Sequence, residues 1–181
     1  MSSLSVYPES SADLPNKVLT HLEDIASTLA AVGVHFARWQ AVEPLAPGCS
    51  QEQVLAAYRP QIDQLMSERG YAAVDVLGVS AEQPDQAELR AGLLDEQRHA
   101  EDEARFFVVG SGLFSLHIDD YVYALLCEKG DLIALPAGTR HWFDMGEHPH
   151  LVMIRLSSNA GGWVGESTGD DIASRFPRLD D

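Results

Sequence analysis

From Glu103 onward the chain consists of short apolar stretches cut apart by glycine, proline and acidic pairs, and this punctuation constrains the fold more than any other feature. Ala104–Val109, Gly112–Ile118, Tyr121–Glu128, Leu132–Leu135, His141–Met145 and Leu151–Leu156 all have strand length. Closely spaced strands joined by tight turns must bury a shared face against a second sheet, so these segments predict a sandwich or barrel.

The first half follows a helical period. Val18, Leu19, Leu22, Ile25, Leu29 and Val32 share one face of a helix predicted from Asp13 to a stop at Gly33. A second helix opens on a capping box of Ser50 and Gln53, carries Val54, Leu55, Tyr58, Ile62, Leu65 and Met66 on one stripe, and ends at Gly70. Pro60 is expected to kink it. Ala72–Val79 reads as a strand, Asp85–Leu94 as a short helix, and Gly169–Phe176 as a last short helix stopped by Pro177. No internal repeat or linker divides the chain. We therefore expect one domain over 1–181: a largely helical part (1–95), a barrel (96–168), and a C-terminal helix and tail (169–181), with the helices outside the barrel.

Twelve basic residues against 28 acidic ones give a net charge of -16, which would repel nucleic acid and anionic membranes. Cys49 and Cys127 show no CxxC spacing and suggest no disulfide framework. No apolar run approaches the roughly 18 residues of a membrane helix, and no leader-like segment opens the sequence, so a cytoplasmic location is the default expectation.

Two segments carry chemistry. The first is Gln97-Arg98-His99-Ala100-Glu101-Asp102-Glu103, followed after six residues by Gly110; the second is Gly130-Asp131-Leu132-Ile133-Ala134-Leu135-Pro136-Ala137-Gly138-Thr139-Arg140-His141. They resemble the paired signatures of the cupin superfamily, His-x-His-(x3)-Glu-(x6)-Gly and Gly-(x5)-Pro-x-Gly-x-x-His. That resemblance implies a mainly β fold with α, a cupin-type β-barrel (double-stranded β-helix), with metal ligands brought into its mouth from separate strands. Positions 97 and 99 point the same way on a strand, the intervening residues let Glu103 return to the same pocket, and His141 arrives from a remote strand. Imidazole and carboxylate suit iron, nickel, manganese or zinc, and two histidines with one carboxylate form the set used by non-haem iron oxygenases.

The likeness narrows further. Glu101-Asp102-Glu103-Ala104-Arg105-Phe106-Phe107, Cys127-Glu128-Lys129-Gly130-Asp131-Leu132-Ile133 and His141-Trp142-Phe143-Asp144-Met145-Gly146 resemble the acireductone dioxygenase family. So do Phe36-Ala37-Arg38-Trp39-Gln40, Gly162-Trp163-Val164 and Gly169-Asp170-Asp171-Ile172-Ala173, which extend the resemblance over nearly the whole chain. The resemblance implies His99, Glu103 and His141 as ligands of one Fe2+ or Ni2+ per chain. At the fourth ligand position the family has histidine and this chain has Gln97, which serves either as a weak carbonyl-oxygen ligand or as a neighbour that does not touch the ion. Leu93 stands where the family pattern leads one to expect a phenylalanine on the substrate side.

By the same resemblance, the substrates are O2 and the acireductone 1,2-dihydroxy-3-oxo-5-methylthiopentene, an intermediate of methionine salvage. Iron gives formate and 4-methylthio-2-oxobutanoate; nickel gives formate, CO and 3-methylthiopropionate. Arg105 is expected to face inward, either to hold the enediolate or to form a structural ion pair. Phe143 and Trp163 are core residues or line the substrate pocket with Leu93. His117 reads as a hydrogen-bonded core histidine, while His148 and His150 read as solvated. A monomer with no nucleic acid or membrane partner is expected. Gln97 also motivates a different reading, a non-catalytic cupin whose degenerate site binds a small ligand or partner. Another cupin enzyme is a third reading, since the fold hosts many reactions.

Overall fold

A computed structural model of the chain describes residues 1–41, 45, 48–160 and 163–179. In chain order the elements are β1 (Ser3–Pro8), β2 (Lys17–Leu19), α1 (Leu22–Ala30), β3 (His35–Arg38), α2 (Gln51–Ala57), α3 (Arg59–Arg69), β4 (Ala73–Ser80) and α4 (Gln86–Leu94). They continue as β5 (Gln97–Arg98), β6 (Glu103–Val109), β7 (Gly112–Ile118), β8 (Tyr121–Cys127), β9 (Asp131–Leu135), β10 (Arg140–Asp144), β11 (His150–Ser157), β12 (Glu166–Ser167) and a 3-10 turn at Ile172–Arg175.

The strands form two antiparallel sheets, one ordered β12-β5-β10-β7-β8-β1-β2 and the other β3-β9-β6-β11-β4. Their inner faces meet in a core that includes Phe107, Phe114, Leu116, Leu125, Ile133, Leu135 and Phe143, joined by Ile25 and Leu29 of α1. The alternation of β6 explains how a polar site sits in such a core. Ala104, Phe106 and Val108 face outward onto Val54, Tyr58, Ile62 and Leu65 of the α2–α3 pair, so the intervening Glu103, Arg105 and Phe107 face inward. With both faces covered, β6 is buried almost throughout, and its sequence reads as a nearly continuous apolar run. On the outside of the other sheet, Trp142 and Val122 pack under Ile172, Ala173 and Phe176 from the C-terminal turn.

The turns fix the strand register. Ile118 pairs with Tyr121 across a two-residue hairpin, and Asp119 takes the positive φ of 53° that such a turn requires. Gly110, the last residue of the first signature, must be glycine for a second reason. A Cβ there would lie 2.0 Å from the carbonyl oxygen of His150, so the turn after β6 passes directly over β11.

The N-terminal part departs from the helical reading. The predicted helix from Asp13 is a strand at Lys17–Leu19 followed by a shorter helix from Leu22, and Val18 stays exposed on an edge strand. Ser3–Pro8 and His35–Arg38 are strands as well, so the described residues among the first 95 hold four strands alongside four helices. A three- or four-residue strand is too short for its alternation to compete with an overlapping helical stripe. The capping box forms as predicted: Gln53 N–H donates to Ser50 Oγ, and Ser50 N–H donates to Gln53 Oε1. The helix that it starts breaks at Tyr58, and Pro60 falls in the first turn of α3 rather than at a kink within one helix. The predicted C-terminal helix is reduced to the 3-10 turn. Among the described residues, no helix is long and apolar enough to cross a membrane.

Candidate metal centre

The two signatures are stitched together by hydrogen bonds from backbone N–H groups of the second to a carbonyl and a carboxylate of the first. Gly138 N–H donates to His99 O at 2.8 Å, and Ala137 N–H donates to Asp102 Oδ1 at 2.7 Å. Glu103 also pairs with Leu135 across β6 and β9. The turn that delivers His141 is thus anchored on the segment that carries His99 and Glu103, which gives the spacing of the second signature its physical meaning.

His99, Glu103 and His141 converge, each contributing a donor atom within 4.8 Å of the others, and all three are buried. His99 Nδ1 lies 2.6 Å from Glu103 Oε2, and His141 Nε2 lies 3.4 Å from Glu103 Oε1. Donors bound about 2.1 Å from one ion at right angles stand about 3 Å apart, which is the spacing these contacts straddle. His99 Nδ1 is buried without a hydrogen-bond partner despite its closeness to the carboxylate, and a divalent cation between these groups would satisfy it.

Protonation states also suit a metal. Burial raises the Glu103 carboxyl, but the Arg105 guanidinium, His99 and His141 outweigh it and hold Glu103 down to about 2. Burial lowers the His141 imidazole against the opposing pull of Glu103. His141 Nδ1 lies 2.8 Å from Thr139 O. Donation of Nδ1–H to that carbonyl leaves the Nε2 lone pair facing the carboxylate. An ionised carboxylate and a neutral imidazole are the forms that bind metal.

Gln97 joins this group. It pairs with His141 across β10 and β5. A Cβ on Gly165 would lie 1.9 Å from Gln97 Oε1 and 3.2 Å from His99 Nε2, so glycine at 165 leaves room for both side chains. Strand β5 ends at Arg98, so His99 reaches the pocket from just beyond the strand.

Around the donors lies a cavity of about 620 Å³, lined among others by Arg105, Phe143, Trp163 and Leu93. Arg105 is buried, and its Nη2 donates to Glu103 Oε2 at 3.0 Å. Burial lowers the Arg105 pKa, while Glu103 acts to raise it. Sequence reasoning missed Arg155, which pairs with Arg105 across β6 and β11 and lines the same cavity. Trp163 lies over both guanidinium groups, 4.8 Å from Arg155 and 5.6 Å from Arg105. The alternation of Leu151, Met153 and Arg155 on one strand was the available signal.

His117 is turned away from the cavity and lies between Glu96 at 2.6 Å and Glu9 at 2.7 Å, a hydrogen-bonded histidine as read from the sequence. His148 and His150 are exposed. Gly162 lies outside the described residues.

A cupin barrel with a buried two-histidine, one-carboxylate donor set defines a metal-binding cupin. Within that class, residues 4–165 match the model of the ARD/ARD' family, and the chain belongs to that family. It is similar over the full length of both chains to acireductone dioxygenases of Pseudomonas syringae pv. syringae (68% identity), Stutzerimonas stutzeri (66%) and Pseudomonas aeruginosa (62%). Its structure resembles an acireductone dioxygenase from Bacillus anthracis with a cadmium ion in its active centre, at TM-score 0.80 and 26% identity, covering 92% of this chain and 98% of that one.

Proposed function

We propose that the chain is a metal-dependent dioxygenase that uses O2 to cleave the acireductone 1,2-dihydroxy-3-oxo-5-methylthiopentene in methionine salvage, in the cytoplasm. The observation that carries this reading is the convergence of His99, Glu103 and His141 beside two inward arginines in one cavity. Full-length similarity to proteins named for this activity supports it. His99, Glu103 and His141 would hold one divalent ion, with the Gln97 carbonyl oxygen as the further candidate ligand. Bound there, the ion supplies Lewis acidity and a template for an electron-rich enediolate.

The chain's own residues do the rest. Arg105 and Arg155 set two guanidinium groups side by side at the cavity, Arg105 held by Glu103 and Arg155 by a bidentate pair with Asp75, and their remaining N–H groups suit the negative charge of an enediolate. Arg105 stays charged despite its burial because Glu103 faces it. Trp163 covers both guanidinium groups and limits their access to water, which strengthens their hold on an anion. Phe143 and Leu93 belong to the apolar part of the lining and suit the thioether tail. Every one of these groups comes from one chain, so a monomer with one ion suffices.

Iron and nickel are the proposed ions, and the cadmium in the Bacillus anthracis relative belongs to the same divalent class. The test is oxygen uptake by protein loaded singly with Fe2+ or Ni2+ and supplied with the acireductone. Formate should appear with either ion, accompanied by 4-methylthio-2-oxobutanoate with iron, or by CO and 3-methylthiopropionate with nickel. Uptake no faster than the protein-free blank with every divalent ion would overturn the reading. Gln97 favours one alternative, a cupin that binds but does not turn over; activity confined to the Gln97→His variant would establish it.

A further inference from the structure

Helix α4 forms one wall of the cavity through Leu89, Gly92 and Leu93, yet none of its residues is buried. Leu89 and Leu93 pack only at the margin of the inner core, with Leu77 beside them. Such a wall needs something other than burial to fix its distance from the barrel. Arg90, on the same helix, donates from Nε to Asp144 Oδ1 at 2.7 Å and from Nη2 to Asp144 Oδ2 at 3.1 Å.

Asp144 follows Phe143 on β10, and Phe143 lines the cavity. The carboxylate is also satisfied by Gly146 N–H at 2.9 Å and by Leu179 N–H at 3.0 Å from the C-terminal tail. The same tail holds the end of α4, where Arg178 Nη1 donates to Leu94 O at 3.2 Å. The side chains of Arg90 and Asp144 are 18% and 2% exposed. Desolvating such a pair offsets much of its attraction, so its stability gain is small, whereas its bidentate geometry is restrictive.

We propose that Arg90 and Asp144 are positioning residues that set the gap between α4 and β10, and through it the length of substrate tail the pocket accepts. The inference rests on the function proposed above, in which Leu93 and Phe143 face the tail. Moving α4 outward would leave the metal donors in place and spoil contact with a tail while leaving the enediolate end unaffected.

The test compares native protein, Arg90→Gln and Arg90→Lys, each in full-length, metal-loaded form. Two acireductones are supplied, one with the methylthioethyl tail and one with a methyl group in its place. Because one methylene in an apolar pocket discriminates by about tenfold or more, Arg90→Gln should reduce the ratio of kcat/KM (tailed over tail-less) by about tenfold. The loss should lie in KM, and Arg90→Lys should recover part of it. Bound metal should be unchanged. Equal losses on both substrates, or none on either, would overturn the proposal.

Calorimetric binding of 4-methylthio-2-oxobutanoate and of pyruvate supplies a readout without turnover. The preference of native protein for the tailed acid should shrink in Arg90→Gln; an unchanged preference would overturn the proposal. Native protein that prefers the tailed acid but consumes no O2 would sink the proposed function and leave the role of Arg90 standing. Should Arg90→Gln fail to fold, Leu93→Ala widens the same gap without touching the ion pair. It must then lose its preference for the tailed ligand, and failure to do so contradicts the proposal.

Discussion

At Gln97 an amide stands beside two buried imidazoles, and its oxygen occupies the space that glycine at 165 leaves free. A neutral carbonyl oxygen is a weaker donor to iron or nickel than imidazole. Gln97→His is therefore expected to tighten divalent-ion binding by about 10- to 100-fold, the usual scale for changes close to a metal, as measured by competition with a chelator. An unchanged affinity would mean that position 97 does not reach the ion. Gly165→Ala tests the same geometry from the opposite side. Its Cβ would push the end of a flexible side chain rather than backbone, so it should displace the amide and weaken ion binding with little loss of melting temperature. The residue types at 99, 103 and 141 were legible because the signatures specify them. Arg155 was not, since a charge on an otherwise apolar strand reads equally well as a solvated edge position.

At the scale of elements, the strands after Glu103 were legible almost residue by residue, because glycine and acidic turns mark their ends. Before it, β4 was legible at Ala72–Val79, whereas β2 and β3 were obscured, because they are too short to override a helical stripe. The helix start at Ser50 carried its own local chemistry, and Ser50→Ala should cost about 1 kcal/mol in chemical denaturation. No loss would mean that the cap is redundant.

The link between α4 and β10 has a pH signature. Burial alone would raise the Asp144 carboxyl, but Arg90 and the Leu179 and Gly146 N–H groups overcome it and hold Asp144 below its ordinary 3.8. A carboxylate depressed in the folded state contributes stability above its unfolded pKa and loses it as pH falls through the folded value. Asp144→Asn should therefore be less stable than native protein at neutral pH. The difference should narrow once the pH falls below 3.8, as followed by urea midpoints; a constant difference would show that Asp144 has no titration linkage to folding.

For the whole molecule, two sheets closed over a polar mouth make ion binding a property of the folded state alone. His99, Glu103 and His141 come from segments up to 42 positions apart, and an unfolded chain does not gather them. An ion at 100 times its Kd should thus stabilise the protein by about 2.7 kcal/mol, visible as a raised Tm that is absent in His141→Ala. The same closure explains what the sequence could not convey. Which charges share the cavity with the donors depends on the pairing of β6 with β11 and on the placement of α4, contacts that no local pattern encodes.

The most direct measurement is anomalous diffraction from crystals grown with a single divalent ion. One peak should appear within about 2.3 Å of a nitrogen of His99, a nitrogen of His141 and an oxygen of Glu103. A peak elsewhere, or none at these side chains with the ion in excess, would contradict the account at its centre.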